Sequence, residues 1–191
     1  MSKVATRRTA LGAIVAFLAV ATPALAELHV GDAAPAFATQ ASLGGNVFDF
    51  NIDEALHKGP VVLYFYPAAF TSGCTLEAHD FAEHVDDYKK LGATVIGVSG
   101  DSIEKLTTFS VSECRSKFAV ASDRNHKISR AYKAVLGFGP MTYSDRTSYV
   151  IAPRGAGDGG TIVYAYRSLD PGKHVANTLA ALEHLKAAPV R

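Results

Sequence analysis

A lone cysteine, Cys74, follows a proline by seven residues in the run Pro67-Ala-Ala-Phe70-Thr71-Ser-Gly73-Cys74-Thr-Leu-Glu77. A thiolate is a strong nucleophile, and two features of this run favour the thiolate over the thiol. Cys74 opens a stretch that reads as an amphipathic helix, whose first turn offers unpaired N–H groups and a partial positive charge. A guanidinium brought nearby from elsewhere in the chain would add to that effect. Pro67 has no N–H to donate, so it ends a strand's hydrogen-bond ladder and can wall the thiol from water. Thr71 supplies a hydroxyl that both donates and accepts, which suits a site where one oxygen is held and another made to leave. An isolated cysteine is more often a small buried hydrophobe, but the proline, threonine and helix-start context favours chemistry.

The elements around this run are legible. Val61-Val-Leu-Tyr-Phe-Tyr66 is β-branched and aromatic at both parities, the pattern of a strand buried on both faces. A helix is expected from Cys74 to Leu91, stopped by Gly92. Thr94–Ser99 reads as a second buried strand, and Asp101-Ser102 as the cap of a helix running to about Lys117. Phe118–Ala121 is a short third strand, Asn125–Val135 a helix, Arg146–Ala152 a fourth strand and Thr161–Tyr166 a fifth. Ahead of these, residues 28–50 suggest a hairpin turning at Gly44-Gly45-Asn46, then one or two helical turns over Ile52–His57. Val175–Ala187 closes the chain as a helix. The order implies an α/β fold, a mixed central sheet with helices on both faces. Cys74 would sit at the carboxyl end of a central strand, where open α/β sheets place their sites.

The 191 residues begin with a different kind of segment. Lys3, Arg7 and Arg8 precede an apolar run, Leu11–Val20, and then Ala24-Leu25-Ala26. That is the order of a secretory signal, and the apolar run is about ten residues where a bilayer span needs about 20. Residues 1–26 are therefore expected to be a signal peptide and residues 27–191 one folded domain. The product would be an exported protein of the bacterial periplasm with no stable membrane association after cleavage. Arg7-Arg8 within Thr6–Leu11 also resembles a twin-arginine signal, so the Sec and twin-arginine routes both stay open. Net charge is +1 with both signs interspersed, and no basic stripe points to nucleic acid. There are two cysteines, Cys74 and Cys114, and neither Cys-x-x-Cys nor Cys-x-x-Cys-His occurs, so a dithiol redox motif and covalent haem are not indicated.

The run Phe65-Tyr66-Pro67-Ala-Ala-Phe70-Thr71-Ser-Gly73-Cys74-Thr75-Leu-Glu77 resembles the peroxiredoxin active-site loop, Pro-x3-Thr-x2-Cys. Its Phe-Tyr-Pro opening and Gly-Cys-Thr-x-Glu ending are similar to the bacterioferritin comigratory protein, or Q-type, branch. Val30–Phe37, Val95–Ser102, Ser122-Asp123, Ala131-Tyr132 and Arg146–Ile151 resemble further blocks of the same family. The resemblance implies a thioredoxin-like fold and a thiol peroxidase acting on hydrogen peroxide and organic hydroperoxides. It implies that Cys74 is the peroxidatic thiolate, that Thr71 hydrogen-bonds the peroxide, that Pro67 shields the thiolate, and that Arg146 stabilises it. Glu77 would orient its neighbours in the same network. No cofactor or metal is implied, and the reductant would be an external thioredoxin-like protein or a small thiol.

The chain departs from that pattern where many Q-type members carry a resolving cysteine, five residues after the first. Here that position is His79. Cys114 is the other candidate. Some members place a resolving thiol on this helix about one turn earlier, at Ser110 here. A Cys74–Cys114 disulfide needs the two Cα atoms within about 7 Å, hence local unfolding. A packed core thiol is an equally good reading of Cys114. His79, Glu83 and His84 carry metal-ligating groups, but exposed helices often show such pairs and no metal is expected there. His79 could also be a polar neighbour of a sulfenate. The competing function is a non-catalytic thioredoxin-like binding domain with a static Cys74–Cys114 disulfide.

Overall fold

The computed structural model describes residues 28–138, 140–155 and 159–187. The expected signal segment, 1–26, lies outside the described residues. The core element is β3 (Val61–Phe65), all five residues buried. It pairs in parallel with β4 (Thr94–Ser99) and antiparallel with β8 (Thr147–Pro153). β5 (Ala119–Ser122) adds parallel to β4, and β9 (Gly160–Arg167) antiparallel to β8. The hairpin of β1 (Ala38–Leu43) and β2 (Asn46–Asn51) completes the far edge, giving the order β2-β1-β5-β4-β3-β8-β9.

Alternation along β3 sends its side chains to two cores. Val62, Tyr64 and the following Tyr66 face a layer made by α2 (Ser72–Glu83), α3 (Val85–Lys90), α4 (Ile103–Ser112) and α6 (His174–Ala187). Val61, Leu63 and Phe65 face α1 (Ile52–Leu56) and α5 (Lys127–Ala131) on the other side. This is the mixed sheet with helices on both faces expected from the sequence, in the thioredoxin-like arrangement. The ring of Phe81 stacks on Tyr64 at 4.3 Å and fastens α2 to the sheet. Gly97, opposite Tyr64 in the β3–β4 register, lets that phenol lie across the strand, since a Cβ there would meet its Cζ at 2.7 Å.

Three expectations are corrected. The helix from Cys74 to Leu91 is two helices, broken at His84 (φ −100°, ψ 6°). The break turns α3 so that Val85 and Tyr88 are buried, with the Tyr88 hydroxyl at 2.7 Å from Thr178 on α6. The helix over 125–135 shrinks to α5, and Val135–Phe138 forms β6, paired with β7 (Met141–Ser144) as a separate hairpin. β-branched and aromatic residues on both sides of a Gly-Pro step make this hairpin, which a helical reading of Val135 obscured. The helix capped at Asp101-Ser102 ends at Ser112 and not near Lys117; Ser102 is its N-cap, accepting from the Lys105 N–H at 3.4 Å.

Candidate active site

The break between β3 and α2 builds the site. Pro67 follows the strand and is half-buried. Phe70 then takes a left-handed φ of 68°, an uncommon conformation for an aromatic residue, and its ring packs edge-on to Phe109 at 5.1 Å. Asp101 holds this turn: its Oδ2 accepts from the Ala69 N–H at 2.6 Å and from the Ser99 hydroxyl at 2.8 Å, while Lys105 pairs with Oδ1 at 2.6 Å. The strained loop is thereby fixed by a carboxylate from the end of the neighbouring parallel strand.

α2 starts at Ser72, with Thr71 as N-cap, so Cys74 lies in the first turn. An N-cap threonine ordinarily accepts from the N–H groups one turn in. Here the Thr71 hydroxyl donates instead to the Ala68 carbonyl at 2.9 Å and makes no capping bond. The first-turn N–H groups beside Cys74 therefore stay uncapped, and the exposed Thr71 oxygen keeps its acceptor lone pairs.

Cys74 itself is buried, 1% exposed. The β3–β8 register pairs Phe65 with Thr147, which sets Arg146 at the carboxyl end of β3. From there Arg146 Nη2 donates to Cys74 Sγ at 3.3 Å, Nη1 donates to Glu77 Oε2, and Nε donates to the Leu169 carbonyl at 3.1 Å. All three edges of the guanidinium are engaged, so its orientation is fixed. Gly73 permits the approach, because a Cβ there would meet Nη2 at 3.3 Å. A cation donating to sulfur favours the thiolate. Glu77 is equally buried, and burial pushes its carboxyl up to about 8 against the opposing pull of Arg146. Behind it stands His174, fully buried, with Nδ1 at 2.8 Å from the Ser148 hydroxyl and Nε2 at 3.0 Å from the Ser168 carbonyl. Burial holds this imidazole below its ordinary range.

The structure thus joins Cys74, Arg146 and Glu77 directly and places Thr71 and Pro67 on the same loop. Cys114 is elsewhere. It follows the end of α4, fully buried in the shared apolar core, and its N–H bonds the Phe109 carbonyl at 3.0 Å. Burial, with Glu113 alongside, raises its thiol far above the ordinary range. Both cysteines are free thiols, so a static Cys74–Cys114 disulfide is not what the fold contains. Ser110 is buried and bonds Ser42 at 3.1 Å and the Gly45 N–H at 3.0 Å. His79 pairs with Glu113 at 3.0 Å and His84 with Asp80 at 3.3 Å.

Asp101 and His174 are the functional side chains that sequence reasoning missed. Asp101 was visible only as a helix cap. His174 carried no local signal, since its neighbours in space come from three separate elements.

A family model described as the AhpC/TSA family matches residues 30–156. The chain is 37% identical over 128 residues to "Peroxiredoxin Q, chloroplastic" of Triticum aestivum, an alignment spanning 66% of this chain and 55% of that protein. Among solved structures, peroxidoxin BcpB of Mycobacterium tuberculosis superimposes with a TM-score of 0.71 at 26% identity, covering 82% of this chain and 97% of the other. Peroxiredoxin Q of Xanthomonas campestris superimposes with a TM-score of 0.65 at 28% identity, covering 76% and 89%.

Proposed function

The chain belongs to the AhpC/TSA family, and from that premise we propose that it is a thiol peroxidase of the peroxiredoxin Q type that reduces hydrogen peroxide and organic hydroperoxides at Cys74. The observation that carries the proposal is the Arg146 guanidinium donating to Cys74 Sγ at 3.3 Å in the first turn of α2.

The reaction follows from the groups present. The Cys74 thiolate attacks one peroxide oxygen; an S–O bond forms and the O–O bond breaks. Sulfur is oxidised to sulfenic acid, the first and reversible step of thiol oxidation. The other oxygen leaves as hydroxide or alkoxide and takes up a proton. Thr71, whose proton is committed to Ala68, accepts a hydrogen bond from the peroxide O–H. Arg146 and the uncapped first-turn N–H groups donate to the oxygen on which charge develops, and donors fixed in advance in this way are usually the largest catalytic contribution. Pro67 helps close the loop over the thiolate.

An external thiol, from a thioredoxin-like protein or a small molecule, then reduces the sulfenic acid. Cys114 acts as a resolving partner only if the fold opens locally at Cys74, Cys114 or both, because both thiols start buried. Residues 1–26 are proposed as an export signal, supported by the order of their charged, apolar and small residues. Peroxide consumption driven by dithiothreitol tests the activity: turnover that is lost in Cys74→Ser supports it, and turnover equal to a buffer blank overturns it. Fractionation of cells expressing the full chain tests export, with accumulation of uncleaved protein in the cytoplasm as the contrary result.

A further inference from the structure

Arg146 is one buried cation with two acidic partners, Cys74 Sγ and Glu77 Oε2. A single guanidinium in a buried site neutralises one anion, and a second uncompensated charge there is costly. If Cys74 is the anion, Glu77 must hold a proton, and the geometry says where. Glu77 Oε2 receives the Arg146 N–H, so the acidic hydrogen belongs on Oε1. Oε1 has no hydrogen-bond partner among the described residues and faces His174 Nδ1 at 3.7 Å. The Ser168 carbonyl can only accept, so His174 Nε2 carries that ring's hydrogen, and the lone pair of Nδ1 in the neutral imidazole accepts from the Ser148 hydroxyl at 2.8 Å. Oε1 therefore meets no donor: Nδ1 brings no hydrogen and the Ser148 hydrogen is committed to Nδ1, so a buried carboxylate oxygen at that position is uncompensated, which favours the neutral acid.

We propose that Glu77 is the proton reservoir of the site: it is protonated while Cys74 is a thiolate and ionises when peroxide removes the thiolate charge. The inference rests on the reading of Cys74 as the peroxide nucleophile. Before reaction the site holds Cys74 as thiolate, Arg146 charged and Glu77 neutral. Attack converts the thiolate to neutral sulfenic acid, and the leaving oxygen takes one proton to become water or alcohol. Arg146 has then lost one anion, and Glu77 releases its proton to replace it. One proton is consumed and one released, so the pocket stays neutral and the solution sees no net uptake. The upward push of burial on the Glu77 carboxyl, to about 8, is consistent with this order. The other ionisable groups around Glu77 are Asp80 on its own helix, Tyr88 of α3 and Tyr64 of β3; both phenols are pushed upward by burial and stay neutral.

The test follows protons and oxidation together. Wild type and Glu77→Gln are mixed at neutral pH with one equivalent of hydrogen peroxide in weakly buffered solution containing an indicator dye, and Cys74 oxidation is counted by mass spectrometry. The proposal expects no net proton uptake in wild type and one proton taken up per oxidised Cys74 in the Gln variant. Equal uptake in the two proteins overturns it. Should the Gln variant fail to fold, infrared difference spectra of wild type decide. A protonated-carboxyl band must vanish on oxidation and must be untouched by peroxide in Cys74→Ser. A wild-type spectrum without the lost band overturns the proposal. Failure of Cys74 to oxidise at all sinks the peroxidase reading along with this one, whereas oxidation with equal uptake sinks this one alone.

Discussion

Cys74 and Cys114 are buried to the same degree, in the same apolar core, on the same face of the sheet. Cys74 lies in the first turn of α2, where uncapped N–H groups and a positive dipole end meet the Arg146 guanidinium. Cys114 lies just beyond the last turn of α4, at the negative end of that helix and beside Glu113. The two thiols therefore differ in the donors around them rather than in exposure. On the proposed reading, that difference is what makes Cys74 the nucleophile and Cys114 a packed thiol.

The sharpest way to break this contrast is to remove each sulfur in turn. Cys74→Ser should abolish peroxide consumption, whereas Cys114→Ser should leave the first oxidation step at its wild-type rate in stopped-flow measurements. A slowed first step in Cys114→Ser would mean that Cys114 takes part before resolution. Next in size is the guanidinium. Arg146→Lys keeps a charge but not the fork that reaches Sγ, Glu77 and the Leu169 carbonyl together. Loss of one fixed donor should lower the rate constant with peroxide by about 10²–10³, read from the observed rate against peroxide concentration. A change of less than about threefold would show that the helix N-terminus suffices.

Glu77 and His174 give the pair a pH signature. The folded carboxyl of Glu77 is raised, so its contribution to stability is complete below the ordinary carboxyl range and is lost as pH rises toward about 8. The folded His174 imidazole is lowered, so its contribution is lost as pH falls below the ordinary histidine range. Urea midpoints measured across pH should therefore fall on the alkaline side in wild type, and Glu77→Gln should flatten that limb while leaving the acid limb in place. An unchanged alkaline limb would show that Glu77 is ionised throughout.

The smallest effect concerns access to Cys114. His79 and Glu113 form a partly exposed pair tying α2 to the residue before Cys114. Such pairs contribute about 0.2–1 kcal/mol, so His79→Ala should speed alkylation of Cys114 by up to about fivefold without altering the first oxidation of Cys74. No change in alkylation would dismiss the pair as a restraint.

The contrast between the two thiols was only half legible in the sequence. β3 announced itself because burial on both faces forces apolar side chains at both parities, and the loop from Pro67 to Cys74 was readable because its chemistry is local. Arg146 was reachable through the resemblance to a known loop and strand. The fork it makes depends on the antiparallel β3–β8 register, a pairing of distant segments that no local pattern encodes. Asp101 and His174 are hidden for the same reason: each acts on a partner from another element. The break at His84 was missed because residues on both sides of it have helical periodicity, and packing against α6 decides where the chain turns.

The most direct measurement is mass spectrometry of the reduced wild-type protein after one equivalent of hydrogen peroxide, with a sulfenic-acid trap present from the start and free thiols alkylated after denaturation. The account predicts the trap on Cys74 and an alkylated, unoxidised Cys114 at the earliest times. Oxidation of Cys114 first, or an unmodified Cys74 after the peroxide has been consumed, would contradict it.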